Sequence, residues 1–209
     1  MLRAGVEGIS PAMVALQLSS VVSDIGVDAI KLGMLFSAPV ITALHESIVA
    51  LYPSPSARPP LVLDPVCVST SGHSLLDPSA VTSLIALLLP LCTVLTPNVP
   101  EAILLSSWKG QLASIDDMRA CARQLGELGA RWVYLKGGHV PFSRPDGSKV
   151  VVDLLWGTEG GVEVVEERPW IDCRNTHGTG CSLSSAIAAN LAKGLSGDSL
   201  PRWENMIKR

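Results

Sequence analysis

The residues with most chemical content in this 209-residue chain fall in one string, Asn175-Thr176-His177-Gly178-Thr179-Gly180-Cys181. It runs into Ser182-Leu183-Ser184-Ser185-Ala186-Ile187-Ala188-Ala189-Asn190-Leu191. The string reads as a glycine-rich loop opening a buried helix of small and apolar residues. Its glycines let the backbone come close to a ligand. The first-turn N–H groups of a helix have no intrahelical partner. Together with the helix dipole they form an anion site. Cys181 falls in that first turn, where a thiol pKa is lowered toward the thiolate. The alternative is a tight turn into a core helix, with Cys181 as a small buried hydrophobe.

Other candidates follow short apolar runs. Asp64 comes after Leu61-Val62-Leu63 and before Pro65. It is either a turn cap or a magnesium ligand, direct or through water, beside a nucleotide phosphate. Asn98-x-x-Glu101 fits a capping box, and an amide with a carboxylate also suits hydrated magnesium. Both readings stand. Lys136-Gly137-Gly138 places a cation beside flexible backbone. It either meets a phosphate as a point charge or snorkels at the rim of a sheet. His139 and His177 read as polar neighbours or loop anchors rather than acid–base catalysts, and Cys67, Cys92, Cys121 and Cys173 as structural. As a set, magnesium-type carboxylates, a phosphate-reaching lysine and an anion hole are the parts of phosphoryl transfer from a nucleotide. No Gly-x-x-x-x-Gly-Lys-Ser/Thr loop is present, so this is not a P-loop enzyme. No Gly-x-Gly-x-x-Gly follows a first strand, which argues against a dinucleotide-binding oxidoreductase.

These residues need elements to carry them. Ser10-Pro11 starts a helix over 11–23, closed near Gly26. Residues 29–35 read as a strand entering a loop, and Ser37-Ala38-Pro39 opens a helix to about Leu51. Residues 61–66 form a strand ending in an acid. Asp77-Pro78 caps a helix over 79–89. Residues 93–98 are the next strand, 98–105 a helix, and 114–128 an amphipathic helix closed by Gly129. Residues 132–139 are a strand meeting a glycine loop, and 141–149 a polar turn. Residues 150–156 and 162–168 form an antiparallel hairpin. Strands alternating with helices predict a three-layer α/β domain with a mainly parallel sheet flanked by helices. Ligands of such sheets bind outside the carboxyl ends of the strands, where Met34, Asp64, Asn98, Lys136 and His139 all fall.

Composition bounds the rest. The net charge is −3 and no Lys/Arg cluster is present, so nothing points to nucleic acid. Apolar residues make up 47%, which excludes disorder. The longest apolar run, 84–95, is broken by Pro90 and is too short to span a bilayer. Five cysteines without paired spacing read as reduced thiols of a cytoplasmic protein.

Six motifs in one order carry a family resemblance. They are Lys31-Leu32-Gly33-Met34-Leu35, Leu63-Asp64-Pro65-Val66, Ser71-Gly72, Leu95-Thr96-Pro97-Asn98-x-x-Glu101-Ala102, Leu135-Lys136-Gly137-Gly138-His139 and the Asn175–Cys181 string. The chain resembles the hydroxymethylpyrimidine/phosphomethylpyrimidine kinases of thiamine biosynthesis, in the ribokinase-like superfamily. The resemblance implies ATP-dependent phosphorylation of hydroxymethylpyrimidine and its monophosphate, with ATP and Mg2+ as cofactors and a small-molecule pyrimidine as partner. A homodimer is compatible with the superfamily. Gly178, Thr179, Gly180 and Cys181 would form the catalytic anion hole. Met34, Gly33 and His177 would meet the pyrimidine. Lys136, Gly138, Asn98 and Asp64 would serve ATP, and Asp64 and Glu101 the metal. Alternatives are pyridoxal phosphorylation, since related enzymes accept both rings, and a non-catalytic product that only binds nucleotide. Family members open with a strand ending in a Gly-Ser-Asp turn, and this chain enters the pattern after it. Residues 200–209 do not match the family's closing helices. The expectation is one incomplete ribokinase-like domain over 1–209. It would lack the family's first strand and leave an unpaired edge or a gap in the sheet.

Overall fold

The computed structural model describes residues 7–67, 76–138, 142–159, 161, 163–171 and 178–195. Helix α1 (Pro11–Asp24) begins where Ser10 Oγ accepts the Met13 N–H and Pro11 takes the first helical position. It lies against α2 (Ala38–Leu51), which buries Val40, Ile41, Leu44 and Ile48 at helical spacing. Full burial of each such side chain contributes about 1.5–3 kcal/mol. α1 buries none of its own residues, and Met13, Leu16 and Val21 remain exposed.

The strands are shorter than the sequence suggests. They are β1 (Ile30–Leu32), β2 (Leu61–Leu63), β3 (Val94–Leu95) and β4 (Trp132–Leu135). All four are parallel, in the order β1-β2-β3-β4. Backbone hydrogen bonds run on past the strand ends, from the Asp64 N–H to Leu32 O, from the Thr96 N–H to Leu63 O and from the Lys136 N–H to Pro97 O, so the chemistry-bearing residues stay tied to the carboxyl edge of the sheet. Beyond β4 the sheet turns antiparallel. β6 (Lys149–Gly157) pairs with β4 and, on its other side, with β7 (Glu163–Pro169). The predicted hairpin is therefore present. The predicted polar turn over 141–149 is corrected in part, since Phe142 and Ser143 form β5 against Val150 and Lys149. The sheet is thus parallel over its first four strands and antiparallel in the rest. Among the described residues it has no internal gap, and β1 is paired on one side only.

Helices cover both faces. One face buries Ile30, Leu32, Leu61, Leu63, Leu95, Val133 and Leu135 beneath α2 and the helices α3 (Pro78–Ser83), α4 (Val99–Ser106) and α5 (Ile115–Glu127). The other buries Val62, Val94, Trp132 and Tyr134 beneath α6 (Thr179–Ala192), through Ile187 and Ala188. The helix expected over 79–89 is α-helical only to Ser83. A π turn (Leu84–Leu88) and a 3-10 turn (Leu89–Leu91) follow. Pro90 has no N–H to continue the ladder, which ends the helix there.

Candidate active site

Asp64 sits one residue past β2, buried, with its N–H donated to Leu32 O at 2.9 Å. It is not a cap. Lys136 Nζ donates to Asp64 Oδ1 at 3.1 Å, and Thr96 Oγ1 donates to the same oxygen at 3.4 Å. Ser184 Oγ lies 3.3 Å from Asp64 Oδ2. That hydroxyl also lies 3.1 Å from the Gly180 and Cys181 carbonyls, and its single proton serves one acceptor at a time. Asp64 is thus a satisfied buried carboxylate joining the ends of β2 and β4 to α6. The lysine is not a rim residue either, since its side chain is only 17% exposed.

α6 starts at Gly178, whose φ of +84° lies in the left-handed region that glycine adopts without strain. Gly178 stands at the N-cap and has no side chain to cap with. Thr179, Gly180 and Cys181 form its first turn. Gly180 faces the ion pair closely. A Cβ there would stand 3.1 Å from Lys136 Nζ and 3.8 Å from Asp64 Oδ2. The helix terminus, the lysine and the acid therefore meet at one place. Cys181 is exposed and not the buried hydrophobe of the alternative reading, whereas Cys67, Cys92 and Cys121 are buried. Burial pushes the Cys67 and Cys92 thiols up to about 12.

The capping box over Asn98–Glu101 is formed. Asn98 Oδ1 accepts the Glu101 N–H, and Glu101 Oε2 accepts the Asn98 N–H, both at 2.9 Å. Glu101 is nonetheless placed for more than capping. It is 3% exposed, and burial raises its pKa to about 7. The Asn98 hydrogen bond and Lys136 pull it down, and Asp64 pushes it up. Asp64 and Glu101 therefore share one electrostatic neighbourhood. Two oxygen-donor carboxylates fit magnesium in donor chemistry. Among the described residues no group of three or more metal-binding side chains occurs.

Gly33 lies beside Asp64, since Leu32 pairs with Leu63. Met34 follows it and is 43% exposed, open to a ligand at the sheet edge. Phe36 is a bulky residue at φ +62°, a conformation that costs about 1–3 kcal/mol. Gly138 is exposed, with open space where a Cβ would stand. His177, His139, Cys173 and the Ser71-Gly72 motif lie outside the described residues.

Thr96, Ser184, Tyr134 and Asp153 were not singled out from sequence. Ser184 had a signal, because it stands four residues after Gly180 and so shares its helix face. Asp153 had one too, as an acid within the apolar run 150–155.

Comparison with known proteins adds a family to this geometry. The sequence pattern described as phosphomethylpyrimidine kinase matches residues 3–199. A thiamine biosynthesis bifunctional protein of Geobacter sulfurreducens is 42% identical over 91% of this chain and 36% of its own length. The hydroxymethylpyrimidine/phosphomethylpyrimidine kinase of Streptomyces coelicolor is 41% identical over 86% of this chain and 61% of its own. The chain thus spans between about a third and three fifths of these relatives. Among solved structures, an ADP complex of Bacillus subtilis pyridoxal kinase superposes with a TM-score of 0.77 at 33% identity, covering 93% of this chain and 67% of that one. A phosphomethylpyrimidine kinase from Clostridium difficile does so at 0.73 and 31%, covering 94% and 74%. Fold and sequence agree, and the chain belongs to the phosphomethylpyrimidine kinase family.

Proposed function

We propose that this chain transfers a phosphoryl group from ATP to hydroxymethylpyrimidine and to its monophosphate, giving the diphosphate used in thiamine biosynthesis. The observation that carries this reading is the Lys136–Asp64 pair set against the glycine-opened start of α6. Phosphoryl transfer asks a protein mainly for positioned positive charge and fixed dipoles. Here a lysine and a helix terminus supply both beside two carboxylates.

Lys136 is assigned to the ATP phosphates, with Gly138 and Asn98 lining the same strand ends. Asp64 and Glu101 would hold Mg2+, which when bound neutralises charge on the transferring group. The N–H groups at Gly178–Cys181 would receive the transferred phosphoryl. Cys181 is assigned to the substrate hydroxymethyl group. The acceptor oxygen, from the hydroxymethyl group in the first transfer and from its phosphate in the second, bonds to the γ-phosphorus as the bond to the ADP oxygen breaks, and any proton it carries passes to solvent. Met34 and Gly33 would meet the ring, joined by His177. The partner is a small molecule in the cytoplasm. Among the described residues no helix is long and apolar enough to cross a membrane.

The test is Mg-ATP-dependent phosphorylation of hydroxymethylpyrimidine phosphate, with Cys181→Ala as control. Pyrimidine-dependent ATP consumption that falls sharply in the control is expected. Absence of consumption with both pyrimidines would overturn the reading. The Bacillus subtilis neighbour is a pyridoxal kinase, which favours one competing substrate. Competition between pyridoxal and hydroxymethylpyrimidine separates the two.

A further inference from the structure

Asp153 stands in the middle of β6, on the α6 side of the sheet. Its carboxylate reaches the neighbouring strand rather than solvent. Oδ1 accepts the Gly137 N–H at 2.8 Å and Oδ2 accepts the Tyr134 hydroxyl at 3.2 Å. Tyr134 is 3% exposed, so its hydroxyl needs this partner. The two donors flank Lys136 in sequence, one residue after and two before. Gly137 is pressed on β6 as well, where a Cβ would stand 1.8 Å from Val152 O. Lys136 itself donates its N–H to Pro97 O at 2.8 Å and bridges to Asn98. The backbone of this lysine is therefore gripped from β3 on one side and by Asp153 on the other.

We propose that Asp153 is a positioning residue for Lys136. By fixing Gly137 and Tyr134 it sets the height at which the ammonium leaves the strand end to meet Asp64 and a nucleotide phosphate. The carboxylate touches no reacting atom. Only the nature of the phosphate rests on the kinase reading. A carboxylate is suited to the task because it accepts two hydrogen bonds on opposite oxygens without offering a proton of its own. On β7, Glu166 stands opposite Asp153 as a like charge, and Arg168, ion-paired with Glu166, offsets that repulsion.

Three variants separate positioning from stability. Asp153→Ala removes both acceptors. Asp153→Asn keeps an oxygen for Gly137 and turns its amide to the Tyr134 oxygen. Tyr134→Phe removes one donor only. Binding of a non-hydrolysable ATP analogue with Mg2+, read by calorimetry, is expected to weaken roughly tenfold in Asp153→Ala. It should weaken about twofold to threefold in Tyr134→Phe and stay near wild type in Asp153→Asn. Acylation of Lys136 by an amine reagent, read by peptide mass, is expected to speed up in the same order. This second readout needs no ligand. It still decides if Asp153→Ala fails to fold, through the other two variants. Unchanged analogue binding and unchanged Lys136 acylation would overturn the proposal. So would an Asp153→Asn variant as impaired as Asp153→Ala. A wild-type chain that binds the analogue but leaves pyrimidines untouched would instead refute the kinase reading and leave this inference standing.

Discussion

Lys136 Nζ and Asp64 Oδ1 meet at 3.1 Å across a strand that belongs to neither. Asp64 ends β2, Lys136 ends β4, and β3 runs between them with Thr96 beneath the contact. The pair ties the carboxyl edge of the parallel sheet together beside α6. Removing one partner leaves a buried charge alone, which costs more than the pair contributes. Lys136→Met is expected to lose about 2 kcal/mol of stability, allowing for the lysine's partial exposure. It should abolish nucleotide-dependent turnover. Asp64→Asn should retain more stability and lose as much activity. Urea unfolding alongside ATP consumption checks both.

Glu101 gives the metal-free chain a pH dependence. Its folded pKa is raised by burial from 4.5 to about 7. Between those values the unfolded chain releases a proton that the folded chain keeps. Stability is therefore full below pH 4.5 and falls as pH rises to about 7. A shift of that size corresponds to about 3 kcal/mol at most. Glu101→Gln should flatten this slope. Thermal melting from pH 5 to 8 without metal checks it, and an unaltered slope in the variant would assign the effect elsewhere.

Cys181 is exposed while Cys67, Cys92 and Cys121 are buried with raised thiol pKa values. An alkylating agent should label Cys181 ahead of those three, and Mg-ATP with a pyrimidine should slow the labelling. Cys181→Ala should change stability by less than about 0.5 kcal/mol, as an exposed substitution does. Peptide mapping after timed alkylation and a melting curve are the measurements. Prior labelling of a buried thiol would contradict the placement.

Gly137→Ala tests the close approach of β4 and β6. The added methyl would stand 1.8 Å from Val152 O, a backbone atom that cannot swing aside. A loss of about 2 kcal/mol or more is expected, with weaker nucleotide binding because Lys136 is the adjacent residue. Gly138→Ala, where nothing lies within 4 Å, is the matched control and should be nearly neutral in stability.

Much of this was legible from residue order because the physics involved is local. Ser10-Pro11, Asp77-Pro78 and Asn98-x-x-Glu101 start helices by hydrogen bonds within three residues, and the structure has all three starts. The run Leu61-Val62-Leu63 is apolar without alternation, as a strand covered on both faces requires, and all three residues are buried. The boundary at 84–91 was less legible. A proline there could be seen, but whether the chain stops, kinks or widens depends on what Leu84, Leu88 and Leu89 pack against.

By itself the sequence determined the order of elements, the edge of the sheet where chemistry would gather, and the string that opens α6. Spacing and composition suffice for these, since each depends on neighbours in the chain. Only the tertiary structure decided that Asp64 pairs with Lys136, 72 residues away. It alone showed that Ser184, 120 residues from Asp64, reaches the same carboxylate. It also set Asp153 under Gly137 and gave Glu101 a raised pKa. Those facts come from strand order and burial. A carboxylate has no fixed partner or dielectric until distant segments close around it.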